Sequence, residues 1–197
     1  MSLNRSNRPA LVLVDIQKGF ADINYWGGQR NNPGAESCAS EILRLWRANQ
    51  LPVFHIQHSS SNPLSPLHAS NAGNGFNELV IPLQHEVVIT KNVNSAFIGT
   101  DLQTRLEQAG ITTLVVAGLT TDHCISTTVR MAGNLGFETF LVADATATFN
   151  KKGPDGKNYP AELIHETALA SLNGEFATII TTDFIKEAFK IHKQNHD

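Results

Sequence analysis

An acid, an ammonium and a thiol are the residues of this chain whose types and placement could do chemistry together. Asp15 directly follows the apolar run ALVLV at residues 10–14, and Lys91 directly follows VVIT at 87–90. Cys124 follows LVVA at 114–117 by the six-residue turn GLTTDH. On one rim, Lys91 would stabilise a thiolate while Asp15 accepts and returns the thiol proton. A helix beginning near Cys124 would add the partial positive charge of its N-terminal amides. Each residue also has a plainer use: Asp15 as a turn cap, Lys91 as a solvated strand-end charge, Cys124 as a small buried hydrophobe.

These side chains meet only if the runs that carry them lie side by side. Six short apolar, β-branched runs, at 10–14, 52–56, 87–90, 113–117, 137–142 and 178–181, lack polar alternation and suit strands covered on both faces. Helical stretches separate them. Residues 35–50 carry a stripe of Ala39, Ile42, Leu43, Leu45 and Trp46. Residues 100–109 read as a helix capped by Thr100 and stopped at Gly110, residues 124–135 end at Gly136, and 161–172 end near Gly174. Asp183 is placed to cap a last helix through Ile191. Alternating strands and helices give a parallel sheet wrapped on both faces, whose ligands bind beyond the carboxyl ends of the strands. The expected organisation is one doubly wound α/β domain over residues 9–191, with tails at 1–8 and 192–197. Two long polar stretches, 21–33 and 59–84, are candidate pocket walls or surface linkers.

Composition narrows the partners. The 197 residues are 41% hydrophobic and 17% charged, which fits a globular core and excludes collagen-like, disordered and coiled-coil chains. Fifteen Lys and Arg against eighteen Asp and Glu give a net charge of -3, with no basic run to track a phosphate backbone, so no nucleic acid partner is expected. No run approaches the ~20 residues of a membrane span. The N-terminal MSLNRSNRP has no apolar signal region, and two cysteines make a disulfide framework implausible, so a cytoplasmic location is expected. DIQKGF after the first run is no glycine fingerprint, which argues against a nucleotide cradle there.

Five segments carry a resemblance. DIQKGF (15–20), TKNVNSAF (90–97), VVAGLTTDHCISTTVRMA (115–132), DATATF (144–149) and HETALASLNGEFA (165–177) resemble the isochorismatase-like cysteine hydrolases, the group of nicotinamidase, N-carbamoylsarcosine amidohydrolase and streptothricin hydrolase. The likeness runs from residue 9 to 183. It implies a Rossmann-like three-layer sandwich with a six-stranded parallel sheet of order 3-2-1-4-5-6, which puts strands 1 and 4 side by side at the switch point. By position it implies Asp15 as base, Lys91 as the lysine and Cys124 as nucleophile. It implies an oxyanion hole from the amides of Thr121 and Cys124, and a cis peptide at Thr120–Thr121. The implied reaction is hydrolysis of a C–N bond in a small amide, carbamoyl compound or ureide through a Cys124 thioester. A homo-oligomer, dimer or tetramer, is implied too, with residues 59–84 a candidate for completing a neighbour's pocket.

The chain departs from the nicotinamidase pattern in lacking the Asp-x-His metal element. His55, His58 and His68 are present, but His55 and His58 point to opposite faces of an extended strand, so no metal or other cofactor is expected, a three-histidine zinc cluster being the open alternative. Phe20 and Phe97, each inside a triad motif, are candidate substrate contacts. Asn94 and Ser95 suit either a polar substrate group or a turn cap. Cys38 reads as core, Asp122 and His123 as partners of helix amides, and Asp144 as a turn cap. Competing functions are a vinyl ether hydrolase of the isochorismatase type, a non-catalytic binding module, and a thiol sensor using Cys124.

Overall fold

The computed structural model describes residues 3–191. In chain order the main elements are β1 (Ala10–Val14), α1 (Ile23–Trp26), α2 (Ala35–Ala48), β2 (Val53–His58), β3 (Val87–Lys91), α3 (Leu102–Gln108) and β4 (Thr113–Leu119). There follow α4 (Ser126–Asn134), β5 (Glu138–Ala147), β6 (Lys151–Lys152), β7 (Asn158–Tyr159), α5 (Ala161–Leu172), β8 (Thr178–Ile180) and α6 (Thr182–Ile191). Six strands form one parallel sheet in the order β3-β2-β1-β4-β5-β8. This is the expected topology; the sixth sheet strand is numbered β8 because β6 and β7 form a small antiparallel hairpin outside it.

The central strands β1 and β4 are buried on both faces, as their uninterrupted apolar character requires, whereas the edge strands β3 and β8, each with one neighbour in the sheet, leave residues such as Val88 and Thr178 exposed. Along β1, Ala10, Val12 and Val14 pack into one core with Leu106 of α3 and Val129 of α4, while Leu11 and Leu13 pack into the other with Ile42 and Trp46 of α2 and Phe189 of α6. The period of two in a strand thus divides one run between two helical layers. The α2 stripe is buried at Ala39, Ile42, Leu43 and Trp46, and the Trp46 indole donates to the Pro9 carbonyl at 2.9 Å. Gly110, at φ 66°, ends α3 in the left-handed conformation expected of a glycine stop.

Several boundaries differ from the sequence reading. Strand β2 runs two residues past Ile56, to His58, because it stays in parallel register with β3 through His58 opposite Lys91. Leu3, within the segment read as a tail, is buried in the α2-side core, and Arg5 bonds the Asn49 side chain at 2.8 Å; a lone apolar residue among polar ones carries no periodic signal. The tail expected at 192–197 lies outside the described residues. Asp183 does not cap α6. The Thr181 hydroxyl accepts from the Phe184 amide at 3.3 Å and the Asp144 carboxylate from the Thr182 amide at 2.9 Å, while Asp183 faces Lys186 at 3.5 Å.

The long segment 59–84 is fastened to the carboxyl end of β1. Gln17 donates from Nε2 to the carbonyls of His58 at 3.0 Å and Asn74 at 2.7 Å. A Cβ on Gly73 would lie 2.6 Å from the Pro66 oxygen and 2.8 Å from the Gly19 Cα, so the loop and the turn after β1 pack backbone to backbone.

Candidate active site

The site is built where β1 and β4 end. Gly118 has φ 134°, and a Cβ there would lie 1.9 Å from the Val14 oxygen, so only glycine lets the two strands leave the sheet in such close contact. Beyond Val14 the chain turns at Asp15, whose φ of 55° is unusual for a residue with a side chain and marks a position held by its surroundings. Its amide donates to the Ile56 carbonyl at 2.9 Å. Beyond Gly118 the chain passes a cis peptide bond at Leu119–Thr120 and enters a single π turn, Thr121–Ile125, that opens α4. The cis bond lies one residue earlier than the Thr120–Thr121 bond to which the resemblance assigned it. Strand β4 stays paired with β5 through Leu119 opposite Ala147, and Thr120 is extended (φ −98°, ψ 150°), so the cis bond falls at the end of the strand and not inside the turn.

Asp15, Lys91 and Cys124 converge on the Lys91 ammonium. Its Nζ donates to Asp15 Oδ2 at 2.6 Å and lies 3.3 Å from Cys124 Sγ. It also lies 3.1 Å from Nδ1 of His58. Three acceptors therefore match the three N–H bonds of the ammonium. The Asp15 and Lys91 side chains are both 0% exposed. Asp15 Oδ1 is buried with no hydrogen-bond partner among the described residues, leaving one carboxylate oxygen free to take a proton. At the outer side, Asn94 is exposed and its Oδ1 lies 3.9 Å from the sulfur. Ser95 is buried and accepts from the Phe97 amide at 3.3 Å, the capping use.

Charge follows from this burial. Burial pushes the Asp15 carboxyl above the usual range, with the Lys91 ammonium pulling against it. The Cys124 thiol is pushed up to about 12, by burial first and by the Asp15 charge second, with Lys91 opposing. Burial and the Asp15 charge thus oppose the thiolate that the Lys91 ammonium favours. His58 is held down to about 4 by burial and the Lys91 charge, so its imidazole is neutral, with Nδ1 accepting from the ammonium.

His55 and His58 do point to opposite faces. His55 is fully buried and meets Glu86 at 2.8 Å on the far side of β2, and His68 pairs with Ser70 at 2.7 Å, so the three histidines form no common metal site. Asp15, His58 and Cys124 do place one donor atom each within 4.8 Å of one another, and the Lys91 ammonium already fills the centre of that group.

Around this centre, Phe20 is 4% exposed and stacks on Trp26 at 4.6 Å and on Phe149 at 6.2 Å. Phe97 is 8% exposed and stacks on Phe137 at 5.9 Å, in the core cluster that contains Cys124. Cys38 is partly buried against the other core. A cavity of about 410 Å³ opens beside the ends of β2 and β3, lined by Ser59, Ser60, Ser61, Asn92 and Lys91. Asp122 accepts from the Thr148 hydroxyl and faces His123 and Lys151, each at 3.4 Å, so it braces the turn that carries Cys124 from outside. The Thr121 side chain, fully buried, meets His165 Nδ1 at 2.9 Å. The sequence offers His58 only as a metal ligand, a pocket-lining residue or a solvated one, and gives His165 no role of its own.

A family model described as the isochorismatase domain matches residues 9–184. The isochorismatase family protein YrdC of Bacillus subtilis (strain 168) is 50% identical over 94% of this chain and 98% of its own. Nicotinamidase 3 of Arabidopsis thaliana is 28% identical over 91% of this chain and 87% of its own. A crystal structure assigned to a hydrolase of the isochorismatase family from Chromobacterium violaceum ATCC 12472 superposes with a TM-score of 0.91, at 40% identity, over 97% of this chain and 98% of that one.

Proposed function

Because this chain belongs to the isochorismatase family, we propose that it is a cysteine hydrolase that cleaves a C–N bond of a small amide, carbamoyl compound or ureide. The observation that carries the reading is the buried ammonium of Lys91 held against both the Asp15 carboxylate and the Cys124 sulfur. The amide-cleaving relative named above supports the bond class.

In the proposed reaction the Cys124 S–H proton moves to Asp15 as sulfur attacks the carbonyl carbon. A C–S bond forms, and the carbonyl pair becomes an oxyanion facing the amides of Thr121 and Cys124. The amides of His123 and Ile125 donate to the Thr120 carbonyl, at 3.1 and 3.2 Å, and are not assigned to the oxyanion. Collapse breaks the C–N bond, and the amine or ammonia leaves with the proton from Asp15. Water then attacks the thioester, giving a proton to Asp15; the acid departs, and the proton returns to sulfur. Oxyanion donors of this kind contribute about 3 kcal/mol each. Lys91 keeps its charge throughout and offsets the negative charge as it passes from Asp15 to sulfur. Phe20 and Phe97 are proposed as the apolar wall of the substrate pocket.

The test is an ammonia-release screen over small amides, carbamoyl compounds and ureides, with Cys124→Ala as control. Release by the wild type and none by the variant is expected. Equal release from both, or hydrolysis confined to a vinyl ether substrate, would contradict the proposal.

A further inference from the structure

We propose that His58 is a positioning residue, a fourth member of the Asp15–Lys91–Cys124 group that holds the Lys91 ammonium aimed at sulfur. The inference rests on the cysteine hydrolase reading for its consequence but on side-chain geometry for its argument. An ammonium has three N–H bonds set tetrahedrally. Asp15 takes one at 2.6 Å, His58 Nδ1 a second at 3.1 Å, and the third is directed to Cys124 Sγ at 3.3 Å. The Asp15 and Lys91 side chains are both 0% exposed, so the ammonium draws its acceptors from the protein. Without His58 the cation would lose a partner and one of the two contacts that fix its rotation about the Cε–Nζ bond.

His58 is itself built to stay in place. It is the last residue of β2 and lies opposite Lys91 in parallel register, so both side chains leave the same face of the sheet. Gln17 grips its backbone twice, accepting from the His58 amide at 2.9 Å and donating to the His58 carbonyl at 3.0 Å. Asn74 donates to the same carbonyl, also at 3.0 Å. Gln17 lies two residues after Asp15, so one short segment supplies the base and the clamp on the histidine. His58 gives the ammonium an acceptor in addition to Asp15, where a second carboxylate would leave the group with a net negative charge.

The experiment compares wild type with His58→Leu, which keeps bulk and removes the acceptor, and His58→Asn, whose Oδ1 can stand where Nδ1 stands. Alkylation of Cys124 by iodoacetamide, followed by peptide mass spectrometry with Cys38 as internal reference, reads the site without any substrate. Steady-state kinetics on the amide that passes the screen read turnover. His58→Leu is expected to slow Cys124 alkylation about tenfold and lower kcat about tenfold or more with KM little changed. His58→Asn should restore both to within a few-fold. Alkylation and kcat in His58→Leu equal to wild type would overturn the inference, and so would His58→Asn as impaired as His58→Leu at an equal melting temperature. Should no amide be turned over, the alkylation series still decides the role of His58, so its failure is separate from failure of the hydrolase reading.

Discussion

At the scale of single residues, the site works by opposing demands on one proton. In the proposed reaction Asp15 receives it, yet its charge is among the causes that hold the Cys124 thiol up at about 12. The two roles separate in Asp15→Asn. Removing the carboxylate charge should let Cys124 ionise at lower pH, read from the pH dependence of its alkylation, while turnover falls by about 10²–10⁴-fold for want of a proton carrier. A thiol that titrates higher in this variant, or turnover left intact, would show that Asp15 is not the base. Lys91→Met should act oppositely on the thiol, raising its titration further, because the lost ammonium is the charge that favours the thiolate.

At the scale of elements, the carboxyl ends of β1, β3 and β4 fix the distances. Gly118 is the point of least tolerance. Gly118→Ala would drive a methyl group into the Val14 carbonyl, and the expected outcome is loss of folded protein or a melting temperature lowered by about 10 °C or more, measured by circular dichroism. A variant melting like wild type would refute the close-packing argument. Asp15, Lys91 and Cys124 were legible in the sequence because each sits at or just beyond the end of an apolar run, and parallel topology brings such ends together. His58 was not legible. The apolar signal of β2 stops at Ile56, and what prolongs the strand is register with β3 and the Gln17 clamp, contacts between segments far apart in the chain. The β6–β7 hairpin, two residues a side, is likewise too short to leave a periodic trace. The cis bond was placed one residue late because the sequence shows a turn without showing where the strand releases it.

At the scale of the whole molecule, buried titratable groups set the pH range in which the fold is stable. His55, His58 and His165 titrate below the ordinary histidine value of 6.5, each chiefly through burial. Each holds its proton less firmly in the folded chain, so the unfolded chain binds more protons as pH falls below about 6.5 and stability declines. Burial alone would raise Glu86, but bonds from Arg47, the Leu83 amide and His55 outweigh it and hold it at about 2, which removes further stability between pH 4.5 and 2. Asp15, shifted upward, acts in the opposite sense. On the alkaline side, Cys124 stays protonated to about 12 against 9.0 for an ordinary thiol, so stability falls above pH 9. Calorimetry should find the melting temperature falling from pH 7 to pH 5 and again above pH 9, with the alkaline fall reduced in Cys124→Ala; a flat profile would contradict this assignment of charge. The hydrolase account itself is tested most directly by acid-quenching the wild type during turnover and weighing the peptide that carries Cys124. The account predicts an acyl group on that peptide, absent when substrate is withheld; full turnover by Cys124→Ala would contradict it.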